Sequence, residues 1–429
     1  MKSFSRKSYS KKSGPLKPIL LLAVLCLLLS GVMGQAQTVN EEKAAQYRTD
    51  LAFLANTLPA RHPNPFQQLA KPLWQQAVAD LDAQLPKLSE PEIITGMARI
   101  VAMLGDSHTI LNLNQSGLDF HYYPLALTWL RDGYYVTGTV LEHQALLGSK
   151  LLQINGRDVT AVERELATLI PHENDSWVKE MVPFYITAAE ILEALHIVPQ
   201  AHAGAFDFQT RDGAVQTVAL QPVSLKEDLE WEALPDLQAA ARPLSLQNRS
   251  RFYWYRYLPE SQSIYFQYNS CREMPSLSFA KFNKDFFGFA DKHPVGRVII
   301  DLRFNSGGNA LLFDPFLNEL KKRPGFNQPG RIVVLIGRKT FDAAVTIAVK
   351  LHAEANAVFV GEPSGGKPNY FGEDKSFRLP NSGVEITYAT KYYSSSKTSP
   401  VSLLPDLYVE TTPEEYFQGF DPVLTRALQ

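Results

Sequence analysis

The sequence predicts an α+β protein of several domains: a helical N-terminal domain, a β-rich middle region and an α/β core. Three observations predict it. Up to Met103 the apolar residues recur three and four apart, the period of amphipathic helices. From Tyr122 the period shortens to two, in short runs closed by turn dipeptides. From Val295 onward, apolar runs of four to six residues alternate with amphipathic helices. That last pattern belongs to a largely parallel sheet buried on both faces.

The 429 residues are 45% hydrophobic and 20% charged, ample for a buried core and far from a disordered composition. The first seventeen carry Lys2, Arg6, Lys7, Lys11, Lys12 and Lys17 with no acid. An apolar run from Pro18 to Leu29 and small residues through Gly34 and Ala36 follow. Residues 1–36 are therefore expected to be a secretory signal peptide. A run of about a dozen apolar residues is short for a bilayer span, and Leu25 before Cys26 is too bulky for a lipoprotein cleavage site. The expectation is an exported protein, periplasmic or extracellular, with no stable membrane insertion after cleavage. Its removal leaves 36 basic residues against 44 acidic ones, which argues against nucleic-acid binding. Cys271 then stands alone, and no CxxC or HExxH spacing occurs. No internal disulfide, metal or other cofactor is expected.

The helical domain is placed at 38–116. Its core face comprises Leu51, Leu54 and Leu58, then Trp74, Val78 and Leu81, then Ile93, Ile94, Met97, Ile100 and Val101. Pro59, Pro63 and Pro65 punctuate the first gap, and Ser89 with Glu92 has the capping-box spacing for the third helix. The domain ends at GDSHT, Gly105 to Thr109. The middle region, 117–225, holds strands over Tyr122–Leu130, Tyr134–Val140 and Lys150–Ile154, with turns at Arg131-Asp132-Gly133 and Asn155-Gly156. A helical pattern runs from Ala161 to about Leu195, a hairpin turns near Arg211-Asp212-Gly213, and Pro235 to Pro243 reads as a linker. The core, 245–429, places strands at VGRVIIDLRF, RIVVLIG and AVFVGE, with helices over Ala310–Lys322 and Ala343–Ala353. Functional groups in such sheets gather at the carboxyl ends of strands, where Asn305, Gly307, Thr340, Asp342 and Glu362 fall.

Four separated segments carry a resemblance: GDSHT, VIIDLRFNSGGNALL, GRKTFDAAVTIAVKL and VFVGEPSGGKPNYFGE. In this order they are similar to the GDGHT, DLRxNxGG, TFSAA and glycine-lysine segments of the S41 (tail-specific, or C-terminal processing) serine peptidases. LPNSGVEITYATKYY and LLPDLYVETTPEEYFQGFDPVL resemble that family's closing strands and final helix. LLGSKLLQINGRDV is similar to the central strands of PDZ-like modules. The resemblance implies a PDZ-like middle, a crotonase-like ββα core, and hydrolysis of peptide bonds in unstructured protein tails without a cofactor. Its partner would be unfolded or extended polypeptide. It further implies Lys367 as general base, His108 as the histidine that is catalytic in the tricorn branch, and the Gly307 and Gly308 amides as oxyanion donors. Glycine suits that last role because it lets backbone N–H groups approach the charge.

Where the family carries its nucleophilic serine, this chain carries Asp342. A Ser/Lys dyad needs a neutral amine. A carboxylate about 4 Å away would favour the ammonium by about 4 kcal/mol at an effective dielectric near 20, a rise of about three units in the lysine pKa. Asp342 and Lys367 are therefore expected to form a salt bridge. Loss of a nucleophile costs about a millionfold in turnover. Asp342 also precedes a helix, where aspartate is a preferred N-cap. Thr340 and Ser107 are the hydroxyls available to replace it, and a carboxylate can itself attack reactive electrophiles. The sequence thus reads as an exported S41-type serine peptidase homologue with impaired or lost catalysis. The alternative is a pseudopeptidase that binds extended peptides or apolar ligands in the former cleft.

Overall fold

Three helices open the described chain, α1 (Glu41–Arg61), α2 (Lys71–Gln84) and α3 (Glu90–Ala102). The structure is a computed structural model that describes residues 38–113, 120–224, 226–227, 229–234, 242–326 and 328–429. The expected signal peptide and most of the expected linker lie outside the described residues. No described helix is long and apolar enough to cross a membrane. Leu51, Leu54, Leu58, Trp74, Leu81, Ile93, Ile94, Met97, Ile100 and Val101 are buried and Val78 is half-buried, so the helical period points one face inward. Ser89 and Glu92 cap α3 reciprocally, and the Ser89 amide donates to Glu92 Oε2 at 2.7 Å.

The GDSHT turn after α3 is organised by Asp106. Its carboxylate accepts from Thr109 Oγ1 at 2.5 Å and from the His108 amide at 3.0 Å, and it pairs with His62 Nε2 at 2.9 Å. The chain leaves this turn as β1 (Ile110–Asn112).

The middle region contains β2 (His121–Tyr122), β3 (Leu125–Leu130), β4 (Gly133–Val140), β5 (Lys150–Ile154) and β6 (Arg157–Asp158). Then come α4 (Val159–Ala167), α5 (Asp175–Thr187), α6 (Ala189–Ala194), β7 (Gly204–Gln209), β8 (Val215–Leu220), β9 (Val223–Ser224) and β10 (Trp231–Ala233). Among the described residues one sheet runs β10-β4-β5-β7-β8, with β3 on β4 and β6 on β5. Asn155 and Gly156 take positive φ, 47° and 73°, which closes the tight β5–β6 hairpin. The continuous helical stretch expected from Ala161 to Leu195 is instead broken. Pro171 disfavours helix at itself and at the preceding residue. Asn174 then starts α5 by accepting from the Trp177 amide at 2.9 Å.

The core supplies β11 (Tyr253–Leu258), β12 (Ser263–Tyr268), α7 (Phe279–Ala290), β13 (Arg297–Asp301), α8 (Asp314–Lys321) and β14 (Ile332–Ile336). It continues with α9 (Ala343–Ala355), β15 (Val358–Gly361), β16 (Asn369–Gly372), β17 (Lys375–Arg378), β18 (Glu385–Tyr388), β19 (Lys391–Ser394), β20 (Leu407–Tyr408), α10 (Pro413–Phe417) and α11 (Pro422–Leu428). The expected helix over Ala310–Lys322 starts as a 3₁₀ turn over Ala310–Phe313 and becomes α8 at Asp314, where Pro315 suits a first helical turn. The sheet order is β11-β12-β13-β14-β15-β20, with β12 to β15 and β20 parallel and β11 antiparallel. Alternation sorts its side chains. Ile264, Phe266, Val298, Ile300, Ile332, Val334 and Ile336 pack with a phenylalanine-rich layer from α7, α8 and α9. Tyr265, Ile299, Val333, Leu335 and Val360 pack with Val423, Leu424 and Ala427 of α11. Both faces are covered, which is why these strands read as continuous apolar runs.

Two long-range ties position the site. β1 pairs with β18, which pairs with β17, so the GDSHT turn is held against the chain that follows Gly372. Arg303 donates to Asp301 Oδ2 at 2.7 Å and to Asp421 Oδ1 and Oδ2 at 2.9 and 2.8 Å, joining the β13 turn to α11. Tyr265 Oη completes this buried cluster with a 2.7 Å bond to Asp301.

Candidate active site

The turns after β13, β14 and β15 lie at the carboxyl ends of the parallel strands. They carry Asn305 to Gly308, Thr340 to Asp342, and Lys367. Lys367 sits on a loop pinned by Asn174, whose Nδ2 donates to Gly365 O at 2.8 Å and to Val401 O at 2.7 Å.

Asp342 occupies a sharp elbow between β14 and α9, with φ 50° and ψ −124°. A non-glycine residue in so sparsely populated a region costs about 1–3 kcal/mol and is characteristic of functional turns. The facing turn is equally constrained, with Gly307 at φ 110° and Gly308 at φ 124°. A Cβ on Gly307 would lie 2.2 Å from Asp342 Oδ2, and one on Gly308 would lie 2.5 Å from the Cys271 carbonyl oxygen. Both positions therefore need glycine.

Three expectations are corrected here. Asp342 does not cap α9: its side chain accepts nothing from the helix, because the positive φ swings it toward the glycine turn. Its Oδ2 instead accepts from the Gly308 amide at 3.1 Å. The Gly307 amide is not free for an oxyanion, since it donates to Asn305 Oδ1 at 2.9 Å. No salt bridge joins Asp342 to Lys367 among the described residues; no carboxylate lies within 4.0 Å of the lysine ammonium. Lys367 is only 7% exposed, and its field falls on Glu173.

Glu173, on the segment before α5, is a buried acid that the sequence did not single out. Burial and then Asp106 push its pKa up, opposed by a hydrogen bond from the Ser107 side chain and by Lys367 and His108, and the Ser107 amide donates to its Oε1 at 3.4 Å. Its Oε2 has no hydrogen-bond partner among the described residues.

His108 is held on three sides. Its Nδ1 lies 3.1 Å from Asp374 Oδ1. Its ring stacks between Phe341, 4.9 Å away at 24°, and Tyr370, 5.6 Å away at 21°. Trp177 extends the stack behind Phe341 at 4.4 Å, and Tyr393 extends it behind Tyr370 at 5.2 Å. The second nitrogen, Nε2, is buried and has no partner among the described residues. Burial opposes a charge on this imidazole, but the Asp374 hydrogen bond and the fields of Asp374, Asp342 and Asp106 outweigh it, so its pKa is raised. Burial and the Asp342 field likewise push the Tyr370 hydroxyl up, keeping it protonated.

Asp374 is the other residue that sequence reading missed. It sits 266 residues from its histidine, so no spacing signal connects them; the acidic pair Glu373-Asp374 after the lysine turn was the only hint. Among residues weighed as replacement nucleophiles, Thr340 is consumed structurally. Its hydroxyl donates to Leu302 O at 2.9 Å and accepts from the Gly337 amide at 3.0 Å. Ser107 is buried. Glu362 pairs with Arg338 at 2.6 Å and takes no part in the cleft chemistry. Burial pushes the Cys271 thiol up to about 12, leaving it inert. Among the described residues no group of three His, Cys, Asp or Glu side chains is arranged to hold a metal ion.

The fold and this elbow define an α+β protein whose parallel-sheet core presents a carboxylate, an imidazole–carboxylate pair and a glycine turn in one cleft. No protein-family model and no curated protein matches the chain. Solved structures do. Mature CPAF complexed with lactacystin is 14% identical over 90% of this chain and 98% of that chain, with a TM-score of 0.59. A point mutant of CPAF is 13% identical over 90% and 96%, also with a TM-score of 0.59. A putative S41 protease from Bacteroides fragilis is 16% identical over 72% and 82%, with a TM-score of 0.31. The CPAF matches establish the fold: the chain shares the CPAF architecture over 90% of its length, and the α+β class expected from its sequence is the observed one.

Proposed function

We propose that this chain is an exported S41-type peptidase homologue that no longer cleaves peptides and instead holds extended polypeptide in its cleft. The observation that carries it is the elbow at Asp342, where Oδ2 sits on the Gly308 amide. A serine peptidase needs that amide for the oxyanion of its tetrahedral intermediate, and losing one such donor costs about a hundred- to a thousandfold. Replacing the nucleophile itself costs about a millionfold. With Gly307 N–H engaged by Asn305 as well, neither glycine amide is free to receive an oxyanion.

The rest of the cleft favours binding. Gly308 and Asp342 remain accessible to solvent, and the PDZ-like sheet lies in the same compact unit. Extended peptides dock on such sheets by strand addition.

The test is digestion of unfolded casein by the purified chain beside Asp342→Ser, Asp342→Ser/His108→Gln and Asp342→Ser/Lys367→Ala. The natural chain is expected to be inert and to bind casein in a pull-down, with Asp342→Ala binding equally well. Asp342→Ser is expected to cleave. Dependence of that cleavage on His108 would make the imidazole its base, and dependence on Lys367 would make it the amine. Cleavage by the natural chain would overturn the proposal.

A further inference from the structure

We propose that Asp342, His108 and Asp374 form a hydrolytic set for epoxides, in which the Asp342 carboxylate opens the ring and the His108 imidazole then hydrolyses the resulting ester. This goes beyond peptide binding, although it uses the same cleft. A carboxylate is a poor attacker of amides, but it is a competent nucleophile toward a strained, electrophilic sp³ carbon.

The geometry separates the roles. The Gly308 amide fixes Oδ2 of Asp342, which leaves Oδ1 as the attacking atom. The Tyr370 hydroxyl, 3.4 Å from Thr346 Oγ1 and buried beside the Asp342 carboxylate, is a protonated donor placed to receive the opening ring oxygen. An oxygen leaving atom favours an epoxide over an alkyl halide, because a phenol O–H donates strongly to oxygen. His108 is oriented by Asp374 on Nδ1 and wedged between Phe341 and Tyr370, and its buried Nε2 has no partner among the described residues. It is not bonded to Asp342, as expected of a base that acts on water and not on the carboxylate.

The steps balance. Oδ1 forms a bond to an epoxide carbon, that carbon's bond to the ring oxygen breaks, and the oxygen takes the Tyr370 proton. Water then attacks Cγ of the ester while His108 Nε2 takes one of its protons. The negative charge gathers on Oδ2, already seated on the Gly308 amide. Collapse breaks the Cγ–Oδ1 bond, the departing alkoxide takes the proton back from His108, and the new carboxylic acid returns its proton to Tyr370. The sum is epoxide plus water to diol. Esterification also removes the Asp342 charge, one of the fields that raise the His108 pKa, and so favours the neutral imidazole from which the hydrolytic step starts.

The test uses the full chain with styrene oxide as probe. In a single turnover in heavy-oxygen water, the peptide containing Asp342 is expected to acquire the label while the diol stays light. His108→Gln is expected to slow diol formation by about a hundredfold or more and to accumulate an adduct of the whole probe mass on that peptide. Asp342→Asn is expected to abolish both. The label experiment needs no variant, so misfolding of a mutant cannot obscure it. Absence of turnover by the natural chain, or a heavy diol with an unlabelled Asp342, overturns the proposal. Casein binding is read separately, so either proposal can fail while the other stands.

Discussion

Asp342 and a serine at the same elbow would differ in where their oxygens lie. A serine places one oxygen at the elbow; an aspartate places two, and one of them settles on the Gly308 amide. The expected pairing with Lys367 is lost to that bond, because the positive φ directs the carboxylate to the glycine turn. His108 carries a prediction of its own. The groups facing it are Asp374, Asp342, Asp106 and Glu173, together with the Tyr370 hydroxyl. A raised pKa means the folded protein holds this proton more tightly than the unfolded chain. The stabilisation is complete below the unfolded value near about 6.5 and fades as pH rises through the folded one. The stability difference between the natural chain and His108→Gln, measured in urea, should therefore shrink as pH is raised above about 6.5. Asp374→Asn should lower the titration midpoint of the His108 ring protons in NMR, and no movement would remove Asp374 as the positioning residue.

At the level of elements, helix starts were legible where the cap is local. Ser89 adopts extended dihedrals and bonds its own helix. Ser89→Ala should cost about 1 kcal/mol in urea unfolding. Asp342 looks like a cap by residue type but has the wrong dihedral for one. The glycine turn opposite it makes a second prediction. Gly308→Ala would set a Cβ against the Cys271 backbone carbonyl, a contact that a side-chain rotation cannot relieve. It should cost about 1–3 kcal/mol and abolish the casein cleavage expected of Asp342→Ser. Retention of that cleavage would place the oxyanion elsewhere.

At the level of the whole molecule, the closing segment does more than finish the sheet. Arg303 bridges Asp301 and Asp421, and burial of Asp421 is outweighed by the Arg303 guanidinium, so its carboxyl is held below the usual range. A depressed pKa gives stability that is present above the ordinary value, near about 3.9, and is lost as pH falls through the folded one. Asp421→Asn leaves a buried guanidinium with half its partners and should destabilise the protein by about 3–5 kcal/mol near neutrality. The deficit should narrow in acid. A urea series across pH checks both the size and the sign, and a deficit that is flat with pH would count against the clamp.

Local order was written in the sequence: helix and strand periods, the Asn155-Gly156 and Arg131-Asp132-Gly133 turns, the capping box at Ser89, and the placement of Asn305, Gly307, Thr340, Asp342 and Glu362 at the ends of buried strands. These depend on residues within a few positions of one another, and a chain shows such neighbours directly. Tertiary structure decided the partners. His108 meets Asp374 because β1, β18 and β17 pair in one register. Glu173 comes under the fields of Lys367 and His108 because Pro171 breaks a helix and Asn174 pins the Lys367 loop. Asp342 reaches Gly308 and not Lys367 because one backbone dihedral is held at 50° by the packing around it. Contacts across hundreds of residues, and a strained angle sustained by its surroundings, exist only once the sheets have closed.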